Sequence, residues 1–132
     1  MSVSEMALVD RVRDYEGNVM CPHGLLLEHV TSRWGALVLI ALLERSYRFS
    51  ELRREIGRVT EKMLAQTLQT LERDGLVLRD AKPVIPPHVD YSLTDLGREV
   101  ADHVHALARW TDQRMAVVQK AQGEYDAAKA RS

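Results

Sequence analysis

The sequence predicts a mainly α fold carrying one small β-hairpin, on three observations. Apolar residues recur at helical spacing along most of the chain. Two stretches near its centre, LVLRDAK and HVDYSLT, read as strands. Between them crowd Pro83, Pro86 and Pro87. Proline cannot donate to a β-ladder and is expelled to edges and turns, so these three mark a stiff hairpin tip. A chain of 132 residues, 45% hydrophobic and 28% charged, suits one folded domain over 1–132 with a single core.

The elements follow in order. A first amphipathic helix is expected over about Glu5 to Tyr15, with Leu8, Val12 and Tyr15 at helical spacing, before Gly17 and Asn18 break it. Cys21-Pro22 opens a second helix through about Val30, proline being suited to a first turn. Ser32 is a candidate N-cap for a buried helix from Arg33 to Glu44. Its apolar run, WGALVLIALL, is too short to span a bilayer. In RFSELRREIG, Ser50 is expected to cap a short helix with Leu52 and Ile56 on its apolar side, ended by Gly57. Thr60 can then cap EKMLAQTLQTLERDG, with Gly75 as its stop. After the hairpin, Thr94 starts a long helix with Leu96, Val100, Val104 and Leu107 on one face. The alanine-rich, charged tail from about Gln122 is expected to fray.

Two helices joined by a short turn form the helix-turn-helix unit of DNA readers, and a hairpin directly after the second adds a wing. On the second helix of the pair, Leu64, Leu68 and Leu71 form one stripe, with Lys62, Gln66, Gln69 and Arg73 roughly opposite. Glutamine suits adenine edges, and lysine or arginine suits guanine and phosphate, so this face matches a major groove. Thr60 begins the same helix. Arg48, Arg53, Arg54 and Arg58 surround the first helix and the turn as phosphate contacts, with Arg53 or Arg54 expected to pair with Glu51 or Glu55. Arg33, Lys82 and His88 complete the set of candidate DNA contacts. The net charge of −1 conceals an uneven distribution. Residues 45–82 hold nine Lys/Arg against six acids, a balance of +3, while residues 1–21 hold two against four, a balance of −2. The plain alternative for each of these residues is a solvated surface.

The pieces CP, RW, RFSELRREI, KMLAQTLQTLERDGLV and PVIPPHVDYSLTDLG together resemble the HxlR family of bacterial winged helix-turn-helix regulators, over about Cys21 to Trp110. The resemblance implies a homodimeric transcription factor, the recognition role on Thr60 to Arg73 and the wing role on Lys82 to His88. It also implies dimerisation through the terminal segments, about 1–20 and 108–132. Leu8, Val12, Tyr15, Trp110, Met115 and Val118 are the interface candidates there. The sequence departs from the family pattern in three places: His88 where arginine commonly follows the paired prolines, Thr31-Ser32-Arg33 where Gly-Gly-Lys often precedes the tryptophan, and Val84-Ile85 where the wing tip usually carries glutamate.

One cysteine, Cys21, excludes an internal disulfide and fits a reducing cytoplasm. Some members of the resembled family sense electrophiles or oxidants through a cysteine near this position. A helix start and nearby His23 would make its thiolate reactive, and inert packing is the alternative. Effectors of the expected homodimeric repressor are therefore an electrophile, an oxidant or a small ligand, acting on a protein that binds double-stranded DNA at an inverted repeat. His103 and His105 diverge on one helix, and Cys21 with His23 is too sparse for zinc, so no metal is expected. No phosphate loop, nucleophile elbow or paired catalytic carboxylates are present, and no cofactor is expected. The opening residues mix charges and do not read as a signal peptide. Two other readings stand beside the regulator: a winged helix used only for protein contact, and an enzyme built on Cys21 and His23.

Overall fold

The computed structural model describes residues 7–13, 15–16 and 19–132, with the backbone alone for 15, 16, 19 and 20. Along the chain run α1 (Leu8–Arg13), β1 (Tyr15–Glu16), β2 (Val19–Met20), α2 (Pro22–Thr31), α3 (Arg33–Glu44), β3 (Tyr47–Arg48), α4 (Phe49–Ile56), α5 (Glu61–Arg73), β4 (Val77–Lys82), β5 (His88–Leu93) and α6 (Asp95–Arg131). The fold is mostly helical with a small three-stranded antiparallel sheet, the arrangement of a winged helix.

The core gathers around α3. Val38, Leu39, Ala41 and Leu42 are buried there against Val30 of α2, Leu52 of α4, the α5 leucines, Leu76, Val77 and Ala101 of α6. Ser32 caps α3 as expected, its Oγ accepting from the Gly35 amide at 3.1 Å. Thr60 caps α5 in the same way, accepting from the Met63 amide at 3.1 Å. Helix α5 ends at Arg73, and past Gly75 the Leu76 amide reaches back to the Leu71 carbonyl at 2.9 Å.

Thr94 joins three elements. Its Oγ1 accepts from the Gly97 amide at 3.0 Å and donates to the Gly75 carbonyl at 2.6 Å, while its amide donates to Leu76 at 3.1 Å. That draws the first turn of α6 against the start of β4 so closely that a Cβ on Gly97 would strike the Leu76 carbonyl oxygen. Glycine is required here by proximity, not by a turn.

Three expectations need correction, and one strand was not foreseen. The first helix ends at Arg13, and Tyr15 pairs with Met20 in a β1–β2 ladder; the expected start at Glu5 lies outside the described residues. Val19 and Met20 offer the β-branched and flexible residues a short ladder accepts, whereas Gly17-Asn18 disfavours helix continuation. Ser50 does not cap α4. The chain enters α4 from an extended Arg48, and the Glu51 carboxylate accepts the Arg48 amide at 2.9 Å, filling the orphan donor. The strand β3 was unexpected: Tyr47 and Arg48 pair with Tyr91 and Asp90 on the free edge of β5. Finally, α6 continues for 37 residues through Arg131, because alanine and charged straight-chain residues are strong helix formers.

Candidate nucleic-acid interface

Helix α5 separates two surfaces. Leu64, Leu68 and Leu71 are no more than 2% exposed, and Lys62, Gln66, Gln69 and Arg73 are all exposed on the opposite side. Ala65 lies half-buried at the margin. The sequence-predicted stripe is therefore a surface with its side chains available, and no ion pair among the described residues engages Lys62 or Arg73.

The turn between α4 and α5 is compact. Gly57 sits at φ 78°, a left-handed conformation that side chains disfavour, and its amide closes α4 on the Arg53 carbonyl at 3.0 Å. The Val59 amide folds back onto the Gly57 carbonyl, and Val59 plugs the core at 4% exposure. Arg53, Arg54, Arg58 and Thr60 converge on the rim of a hollow of about 540 Å³ at this turn. Arg54 and Arg58 make no ion pair among the described residues.

Arg53 is committed differently. Its Nε donates to the Val59 carbonyl at 3.2 Å and its Nη1 to Glu61 Oε1 at 3.3 Å. The expected partner, Glu51 or Glu55, is not the one used. Glu51 lies 3.8 Å from Arg45, and the bond from the Arg48 amide holds its carboxyl below the ordinary value, with Arg45, Arg48 and Arg54 adding in the same direction.

Arg33 opens α3 with its guanidinium 4.7 Å over the Trp34 ring. Its neighbour Ser32 shares a hollow with Met63, Gln66 and Thr67, so the start of α3 flanks α5.

The wing's register sorts its side chains. Asp80 pairs with Asp90 and Lys82 with His88, so by the period of two all four share one face, joined by Arg48 opposite Asp90. Lys82 Nζ is 2.6 Å from Asp80 Oδ2, a bond that raises the lysine above its ordinary pKa, and His88 Nε2 is 3.5 Å from Asp90 Oδ2. The other face carries Arg79, paired with Tyr91. Arg79 lines a hollow with Gln69 and Glu72 of α5. Sequence reasoning omitted Arg79, although strand parity counted from buried Val77 places it on the side facing the helix.

Cys21 occupies the N-cap position of α2, half-buried, with its thiol donating to the Arg11 carbonyl at 2.8 Å. Of the interface candidates, Leu8, Trp110 and Met115 are 67%, 53% and 44% exposed, Val12 and Val118 are half-buried, and the Tyr15 side chain lies outside the described residues. No single helix among the described residues is long and apolar enough to cross a membrane.

Comparison with known proteins agrees with this geometry. The HxlR-like helix-turn-helix family matches residues 29–119. YtfH of Escherichia coli (strain K12), named an uncharacterized HTH-type transcriptional regulator, is 54% identical over 113 residues, covering 83% of this chain and 88% of its own. The solved structure of ytfH from Salmonella typhimurium superposes with a TM-score of 0.74 at 53% identity, covering 78% of this chain and 92% of that one. The redox regulator HypR in its reduced form superposes at 0.68 with 30% identity, covering 75% and 98%. With a matching family over most of its length and the helix-turn-helix and wing in place, the chain belongs to the HxlR-like helix-turn-helix family of DNA-binding transcriptional regulators.

Proposed function

We propose that this protein is a homodimeric repressor that reads an inverted-repeat operator with one α5 helix per half-site. The observation that carries the reading is the exposed stripe Lys62, Gln66, Gln69 and Arg73 set over a buried leucine stripe. The stripe enters the major groove, where glutamine and the cations meet base edges. Arg54 and Arg58 at the turn, Arg48 before α4, Arg33 at the start of α3 and Thr60 at the start of α5 serve phosphates, which set register without reading sequence. Lys82 and His88 serve the backbone from the wing, and Arg79 from the groove between wing and helix.

A second copy answers the surplus of apolar helix. From His105 to Arg131 only Ala108 and Val118 are other than exposed, although Leu107, Trp110, Met115, Val117 and Tyr125 lie on this stretch. A helix without packing is marginal in water, so this segment needs a partner. The described parts of the two ends supply it, with Leu8, Val12, Trp110, Met115 and Val118 at the contact. Two α5 helices then sit about 34–36 Å apart.

The inducing signal enters at Cys21. A thiolate or an adduct cannot donate to the Arg11 carbonyl, so modification releases α1 from the start of α2. Two solved relatives carry redox descriptions, HypR as a redox regulator and Bacillus subtilis YodB as diamide-treated, which supports an electrophile or oxidant over another small ligand.

The deciding experiment is selection of bound genomic fragments by the purified protein, followed by transcription from the selected promoters. Enrichment of an inverted repeat, with less transcript as protein is added, is the expected result; no enrichment over random fragments rejects the reading. Light scattering that finds only a 15.0 kDa species at micromolar concentration rejects the dimer. Operator affinity that falls with diamide equally in wild type and Cys21→Ser rejects the thiol.

A further inference from the structure

We propose that Arg53 is a positioning residue that sets the angle at which α5 is presented, and that it does not hold a DNA phosphate. The proposal rests on the DNA-reading function above and deepens it. Arg53 brackets the turn twice. Its backbone carbonyl receives the Gly57 amide at 3.0 Å, closing α4, and its Nε holds the Val59 carbonyl at 3.2 Å. Its Nη1 then reaches Glu61, the first residue of α5, at 3.3 Å. One side chain thus joins the last turns of α4, the peptide leaving the turn and the first turn of the recognition helix. Glycine at position 57 leaves the backbone there permissive, so a side-chain restraint is what fixes the angle.

Charge points the same way. The Glu61 carboxylate neutralises the Arg53 guanidinium, while Arg54 and Arg58 on the rim of the same hollow have no such partner among the described residues. A phosphate approaching this hollow meets Arg54 and Arg58 with no ion pair among the described residues and would have to break two bonds to recruit Arg53.

The two roles differ in their salt dependence. A phosphate contact contributes about one unit to the slope of log affinity against log salt, equally on any sequence. A positioning residue changes how well the stripe fits its bases, and leaves the slope alone. The test measures the selected operator and a scrambled duplex over about 50 to 200 mM salt, using wild type, Arg53→Ala, Arg53→Lys and Glu61→Gln, each first checked for a native melting transition. Arg53→Ala removes both side-chain bonds across the turn and should lose roughly tenfold on the operator, with an unchanged slope and little change on the scrambled duplex. Glu61→Gln should lose in the same direction although it removes a negative charge from a DNA-facing surface, and it keeps the test alive if Arg53→Ala fails to fold. Arg53→Lys should not restore discrimination, because a point charge lacks the planar fork that spans two acceptors. Equal loss on both duplexes with a slope flattened by about one unit, rescue by lysine, or tighter binding by Glu61→Gln overturns the proposal alone. Failure of wild type to discriminate the two duplexes overturns the DNA-reading function beneath it.

Discussion

Replacing Gln66 or Gln69 with alanine tests the assigned reading face most directly. Lys62 and Arg73 lie eleven residues apart, so at 1.5 Å per residue the stripe is about 16 Å long, close to five base pairs at 3.4 Å. Gln66 and Gln69 are about 4.5 Å apart along the axis and therefore address adjacent or next-adjacent base pairs. Each bidentate contact discriminates by about 1–3 kcal/mol, which is roughly 5- to 150-fold in affinity. Both side chains are exposed, so neither truncation should change folding stability by more than about 0.5 kcal/mol, and the DNA effect is separable from unfolding. The assay is competition between the selected operator and single-base variants for each purified protein. Gln66→Ala and Gln69→Ala should relax preference at different, neighbouring positions. If both variants bind the operator as wild type does, with unchanged preference everywhere, the face has been assigned wrongly.

Other outcomes follow from single contacts. Arg58→Ala should weaken operator and scrambled duplex alike and flatten the salt slope by about one unit, since this exposed arginine has no partner among the described residues. Gly97→Ala should cost about 3 kcal/mol, the upper range for overpacking, because the new methyl meets the Leu76 backbone and not a movable side chain; a melting temperature lower by roughly 10 °C is the readout. Glu51 is held below its ordinary value of 4.5, chiefly by the Arg48 amide, so its charged form stabilises the fold above that pH, and the contribution is lost as pH falls through the lowered value. The stability difference between wild type and Glu51→Gln should therefore narrow on acidification below 4.5, as followed by denaturant melts.

Much of the fold was legible because its signals are local. The caps Ser32, Thr60 and Thr94, the leucine stripe of α5 and the proline tip each depend on residues a few positions apart. What escaped depends on distant partners. Two residues have no period, so β3 exists only because Tyr47 and Arg48 meet the edge of β5 more than forty positions away. Arg53 was expected to find an acid on its own helix, but Glu51 and Glu55 stand two positions from it, where helical side chains diverge; the partner it uses lies eight residues on, across the turn. For Arg79, strand parity from Val77 gives the face, but its meeting with Gln69 is set by how the wing docks on α5, which no local pattern encodes.

The wing carries acids and bases on a single face. Asp80 and Asp90 are directly opposite on neighbouring strands, an arrangement that repels, and Lys82 and Arg48 on the same face offset it. Lys82 is held by Asp80 at 2.6 Å, so a phosphate must compete with a carboxylate already in place. Lys82 is thus partly neutralised at home and reaches a phosphate only in competition with Asp80, while Arg54 and Arg58 at the turn and Arg79 beside α5 make no ion pair among the described residues, which concentrates electrostatic affinity there. Asp80→Asn should reverse that balance, removing one of two facing acids and releasing Lys82. The expected result is tighter binding to operator and scrambled duplex alike, with a salt slope steeper by up to about one unit as another phosphate is neutralised. With side chains 41% and 46% exposed, the Lys82–Asp80 pair has little to contribute to stability, so a melt should change by no more than about 1 kcal/mol. Weaker binding by Asp80→Asn on both duplexes would mean that the Asp80–Lys82 pair holds the wing in its DNA-bound shape, and the account of the wing as a neutralised arm would be wrong.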